Sequence, residues 1–151
     1  PSSPSGSVAI RNNQEYIFNV NSGTCSQCGV SNCAILQPPN LDIECIGYKW
    51  LVNQNSINNN QPTTITSASS GNQLINNSGG NCSGVTPSIQ VSKNSSSDMW
   101  YFNAMSESTF MICDGPNPTS SICLKAGSGD STISRETGNT SDPSFRWVIE
   151  S

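Results

Sequence analysis

The sequence predicts an all-β chain, twelve short strands in three like units related by a pseudo-threefold axis, forming one domain over 1–151. Three observations predict it. The only Trp residues stand at 50, 100 and 147, almost evenly spaced. Short runs of apolar residues, often alternating with polar ones and bounded by Gly, Pro, Asn or Ser, recur along the whole chain, as short half-buried strands do. Charged residues are only 11% of the total, against about 25% in an average soluble domain. Asn, Ser, Thr and Gly take their place, and these residues favour turns over helices because their side chains compete for backbone hydrogen bonds.

The elements follow in order. The first unit, about 7–54, reads SVAIRN, EYIFNV, CAILQP and YKWLVN. The second, about 55–106, reads TTITSA, NQLINN, SIQVSK and DMWYFN. The third, about 107–151, reads TFMICD, SICLKA, STISRE and FRWVIE. Each unit ends on its Trp. Repeats of this length mark units that cannot bury an apolar face alone and must share a core. Trp50, Trp100 and Trp147 are therefore expected in that core, as large apolar side chains repeated in register.

Three units closing on Tyr48-Lys49-Trp50, Asp98-Met99-Trp100 and Phe145-Arg146-Trp147 resemble the ricin B-type β-trefoil across essentially the whole chain. In that family each repeat ends in Gln-x-Trp. Here the Gln positions hold Tyr48, Asp98 and Phe145. The resemblance implies a β-trefoil and carbohydrate binding, with an Asp on the second strand and an aromatic platform after the third. The Asp positions hold Asn19, Ile75 or Asn76, and Lys125; the platform positions hold Gln37, Ser92 and Glu136. Asn19 and Gln37 are thus the candidates for a residual sugar site, with Tyr16 or Tyr48 as a nearby ring. With most of the sugar residues replaced, the expectation is a non-catalytic binding module whose partner is another secreted protein. That partner would be a larger enzyme such as a fungal laccase- or tyrosinase-type oxidase, to which this chain would be a small subunit. Glycan recognition as a lectin is the alternative. Protease inhibition through the loop GPNPTS is the third.

Seven Cys, at 25, 28, 33, 45, 82, 113 and 123, and N-x-S/T sequons at Asn76, Asn81, Asn94 and Asn139 point to a secreted, glycosylated chain. The chain also begins at Pro1, as after removal of a signal peptide. Cys113 and Cys123 lie on consecutive strands and are expected to form a disulfide. Cys25, Cys28, Cys33 and Cys45 allow three connectivities, of which Cys33 with Cys45 and Cys25 with Cys28 is favoured; Cys82 is left over. A zinc role for Cys25-Ser26-Gln27-Cys28 wants a second close pair, of which Cys33 and Cys45 are a poor version, and a redox role wants a βαβ context that is absent.

Other classes are excluded more directly. With no His, a Ser-His-Asp or Cys-His centre cannot form within the chain. Its acids are scattered, and no glycine loop is followed by the Lys and helix that phosphate binding needs. No enzyme activity and no cofactor are expected. A net charge of −4 gives no basic stripe for nucleic acid or an anionic membrane.

Overall fold

The computed structural model describes residues 6–19, 33–38, 46–78, 88–92, 98–129 and 131–151. Twelve strands run through them. In the first unit these are β1 (Ser7–Asn12), β2 (Glu15–Phe18), β3 (Cys33–Gln37) and β4 (Lys49–Leu51). The second has β5 (Thr66–Ser67), β6 (Gln73–Ser78), β7 (Ile89–Ser92) and β8 (Tyr101–Ala104). In the third stand β9 (Phe110–Cys113), β10 (Ile122–Ala126), β11 (Ile133–Thr137) and β12 (Val148–Glu150). Nine fall within the runs that predict them, and β6, β8 and β11 each extend one residue past theirs.

The first and last strands of each unit close a six-stranded barrel. β1 pairs with β4, β4 with β5, β8 with β9, and β12 with β1. The remaining two joints are the antiparallel pairs Thr63/Trp100 and Phe110/Trp147. Closure removes the open edges that would otherwise invite aggregation. The middle strands form three hairpins, β2–β3, β6–β7 and β10–β11, which meet through Cys33/Gln90 and Ala34/Ile89 and through a 3.0 Å bond from Leu36 N–H to Ser131 C=O. A barrel of six strands capped by three hairpins is the β-trefoil.

Each Trp is completely buried, in one core with Ile10, Ile17, Leu36, Ile65, Leu74, Ile112 and Leu124. A buried indole N–H needs an acceptor, and all three find the same one. Trp50 Nε1 donates to Ile17 C=O at 2.9 Å, Trp100 Nε1 to Leu74 C=O at 3.0 Å, and Trp147 Nε1 to Leu124 C=O at 3.1 Å. Ile17, Leu74 and Leu124 hold the same place on the second strand of their units. The Trp core expected from the spacing is present in all three repeats, and the hydrogen bond ties the end of each unit to its own hairpin.

Short helical turns depart from the all-strand reading among the described residues. Three are 3-10 turns, at Ile46–Tyr48, Ser106–Ser108 and Pro143–Phe145. Gln54–Asn58 forms a single α-helical turn (α1) in the link between units one and two, with Asn53 as N-cap accepting from Ser56 N–H and Ile57 turned into the core. Gly138 shows where a side chain is forbidden: a Cβ there would lie 1.7 Å from the Pro118 carbonyl oxygen. The link after β11 is packed directly on the GPNPTS loop, held by Gly138 N–H to Ser121 C=O at 3.1 Å.

Trp50→Phe, Trp100→Phe and Trp147→Phe each leave a buried carbonyl unpaired, at a cost of about 1–3 kcal/mol, added to the lost volume. Urea unfolding should give similar losses for the three; a variant with no loss would mean that its indole bond is not structural. Gly138→Ala should cost about 1–3 kcal/mol, the usual penalty of overpacking, and an unchanged urea midpoint would contradict the close approach.

Candidate functional site

The barrel register sets out one place three times. The residue after each Trp pairs with a first-strand residue, which pairs in turn with a second-strand residue. At the seam between units one and two the chain reads Leu51, Thr66, Gln73. Between units two and three it reads Tyr101, Cys113, Cys123. Where unit three meets unit one it reads Val148, Arg11, Tyr16. Three related places therefore carry three different chemistries.

At the second seam Cys113 and Cys123 form the expected disulfide, both fully buried. Nothing can enter there. At the third seam the same position is open and polar. Tyr16 Oη donates to Glu150 Oε1 at 2.6 Å, and Arg11 Nε donates to Glu150 Oε2 at 2.9 Å. Arg11 Nη1 donates to the Asn13 carbonyl at 2.9 Å. That bond holds the β1–β2 turn, in which Asn13 takes a left-handed φ of 56°, a conformation Asn tolerates. Arg11, Asn13, Gln14, Tyr16 and Glu150 line a cleft of about 320 Å³.

Tyr16 is braced from behind. Its ring meets Tyr48 edge to face, with centroids 5.9 Å apart, and Tyr48 rests on Phe18 at 5.5 Å. Lys49 Nζ lies 5.5 Å over the Tyr48 ring. Tyr48 thus supports the Tyr16 ring from behind.

Hydrogen bonds from Tyr16 and Arg11 hold the Glu150 carboxyl below its ordinary pKa, helped by the charges of Arg11 and Lys49. The bond to Glu150, then burial and the nearby negative charge, push the Tyr16 phenol up. The Arg11–Glu150 pair is too exposed to stabilise the fold much. What it does is hold a carboxylate still, with the guanidinium edge, the amides of Asn13 and Gln14, and a ring around it.

Of the residues expected to carry a sugar site, Asn19 requires correction. Its side chain is fully buried, with Nδ2 donating to Cys33 C=O at 3.1 Å and Oδ1 accepting from Ser70 Oγ at 2.6 Å. It joins the first hairpin to the β5–β6 turn and offers nothing to a ligand. Gln37 is half-buried and pairs with Tyr16 across β2–β3, but it is not among the residues that line the cleft.

Asn76 is occupied too. Its Nδ2 donates to Asp114 Oδ2 at 3.1 Å, its Oδ1 accepts from Arg135 at 2.9 Å, and its backbone N–H donates to Asp98 at 2.7 Å. Asn139 is exposed, its Oδ1 accepting from Ser141 N–H at 3.0 Å. Asn81, Asn94, Cys25, Cys28 and Cys45 lie outside the described residues. Cys33 is disulfide-bonded, and its pairing with Cys45 lies outside them as well. Among the described residues no three His, Cys, Asp or Glu side chains gather as a metal cage.

Sequence reasoning passed over Arg11 and Glu150 because they lie 139 residues apart. The signal available was the barrel itself: closure brings the start of unit one against the residues just after the last Trp.

No family model matches the chain, and no curated protein matches its sequence. Solved structures do match. The designed threefold-symmetric protein ThreeFoil aligns with a TM-score of 0.64 at 11% identity, over 97% of this chain and 99% of its own. A mosquitocidal holotoxin matches with a TM-score of 0.65 at 16% identity, over 97% of this chain and 16% of its own. The GlcNAcα1-4Gal-releasing endo-β-galactosidase from Clostridium perfringens gives 0.64 at 13%, over 95% and 32%. In these two larger proteins the chain spans a third of the length or less. The class so defined is the β-trefoil, and at these identities the likeness is one of fold alone.

Glu150, with its lowered pKa, stabilises the folded state above the ordinary carboxylate range and loses that contribution as pH falls through its folded pKa. Tyr16, with its raised pKa, contributes fully below about pH 10 and loses it as pH rises through its own. Wild type should therefore lose stability below about pH 4.5 more steeply than Glu150→Gln, read from urea midpoints against pH. Parallel profiles would show that the contact is not formed in solution.

Proposed function

We propose that this chain is a secreted, non-catalytic β-trefoil binding module whose ligand is a neutral carbohydrate held in the Arg11–Tyr16–Glu150 cleft. One observation carries the reading: a fixed carboxylate stands beside a braced aromatic ring, with amide and guanidinium donors around both. A sugar presents hydroxyls that need a charged acceptor and neutral donors, and C–H faces that need a ring. Because Arg11 and Glu150 neutralise each other, the cleft favours uncharged sugars. The disulfides at Cys113–Cys123 and at Cys33 and the exposed sequon at Asn139 support secretion.

The first expectation from sequence, docking to a larger secreted enzyme, is the second reading. What favours it is Leu51, exposed at the mouth of a cleft of about 510 Å³ with Val52 and Thr66. Its support is thinner: among the described residues Leu51 and Met99 are the exposed large hydrophobics, whereas obligate interfaces are rich in them. Co-purification with another protein in fixed ratio would bring this reading forward.

The test is a neutral glycan panel that includes GlcNAcα1-4Gal, followed by titration calorimetry on the best binder. Tyr16→Ala and Glu150→Ala should each weaken binding at least about tenfold, about 1.4 kcal/mol, while Leu51→Ser leaves it unchanged. Binding that survives both cleft variants, or a panel with no competable binder, would reject the carbohydrate reading.

A further inference from the structure

The Arg11–Tyr16–Glu150 cleft does not end at the β1–β2 turn. On the far side of Asn13 lies a second cleft of about 640 Å³, twice the volume of the first, and Asn13 lines both. Resting on the carbohydrate reading above, we infer that the ligand is an oligosaccharide chain that crosses this turn, one sugar in the smaller cleft and its continuation in the larger.

The smaller cleft sits at the lower end of the range that small-molecule sites occupy, about 300–1,000 Å³, and suits one ring. The larger has room for more. Its walls alternate the two kinds of polar group that a run of hydroxyls needs. Glu15 and Glu107 bring acceptors, Arg146 brings donors, and Thr109 and Ser128 bring hydroxyls that act as either. Two carboxylates against one guanidinium leave one negative charge in excess, which disfavours acidic sugars and so keeps the preference of the first cleft for uncharged ones.

The saddle between the clefts is rigid. Asn12 Nδ2 donates to the Pro143 carbonyl at 3.1 Å and to the Arg146 carbonyl at 2.9 Å, which fastens the turn to the link before β12. The Arg11 bond to Asn13 C=O fastens its other side. Around the larger cleft Glu107 and Ser108 hold left-handed φ values of 61° and 60°, a conformation that costs an ordinary residue about 1–2 kcal/mol. Such strain gathers where a surface must be held ready for a ligand. Arg146 donates to the Thr140 carbonyl, which holds the opposite wall. A groove already shaped on both sides of a fixed saddle takes an extended chain without first ordering itself.

The experiment compares N-acetylglucosamine and galactose with their own oligomers of two to six units, by titration calorimetry on the whole chain. Affinity should rise at least about tenfold from one unit to four and then level off. Ser128→Trp fills the larger cleft at an exposed position, and Glu107→Ala removes an acceptor from it. Each should abolish most of the gain with length while leaving single-sugar binding intact; Tyr16→Ala should weaken every length alike. Binding that does not depend on length, or a length gain untouched by Ser128→Trp and Glu107→Ala, overturns the extended site and leaves the single-cleft reading standing. No binding at any length overturns both.

Discussion

The indole N–H of each Trp reaches the backbone carbonyl of the second strand of its own unit, and the rest of the molecule is arranged around that bond. A repeat of four strands has no core of its own. What makes each unit a unit is the joint between its last strand and its hairpin, and in all three that joint is a buried donor meeting a buried acceptor. Either group left alone in the interior would cost more than the bond returns, so the geometry is selected as much by penalty as by gain. With three such joints in place, the outer strands have little choice but to close into a barrel and the hairpins to cap it.

Because the joints recur in every unit, other related positions are free to diverge. The place that follows each Trp shows how far they have gone. One seam is sealed by Cys113–Cys123, one carries Thr66 and Gln73, and one carries Arg11 and Tyr16 with Glu150. The residue two before each Trp diverges in step. Phe145 packs on the buried disulfide, Tyr48 braces Tyr16, and Asp98 accepts from the backbone of Asn76. A position that is Gln throughout the resembling family has been turned to whatever its own seam requires.

The same division explains what could be read in advance. The Trp spacing, the twelve strands and the Cys113–Cys123 bridge depend on local periodicity and on neighbours in sequence, so each was legible. The helical turn at Gln54–Asn58 was less so, because its residues are poor helix formers and the turn depends on the Asn53 cap and the burial of Ile57. Asn19 misled for a different reason. A polar residue where the family has a ligand contact looks like a degraded site, yet here it satisfies Cys33 C=O and Ser70 inside the fold. Arg11 and Glu150 were invisible in any local window, since barrel closure alone brings them together.

That closure also places the candidate cleft where the chain begins and ends its circuit. The β1–β12 seam joins residues from opposite ends of the described chain, and its outer groups, Arg11, Tyr16 and Glu150, are half-exposed. An exposed ion pair adds little to such a seam by itself. The proposed ligand, held by the same three groups, would add more, because whatever binds only the folded form stabilises it as it saturates. The last joint to form in sequence terms is then the one that the proposed ligand would reinforce. The symmetric core and the asymmetric cleft are in that sense complementary: the Trp bonds make the barrel stable enough that this seam need not be sealed.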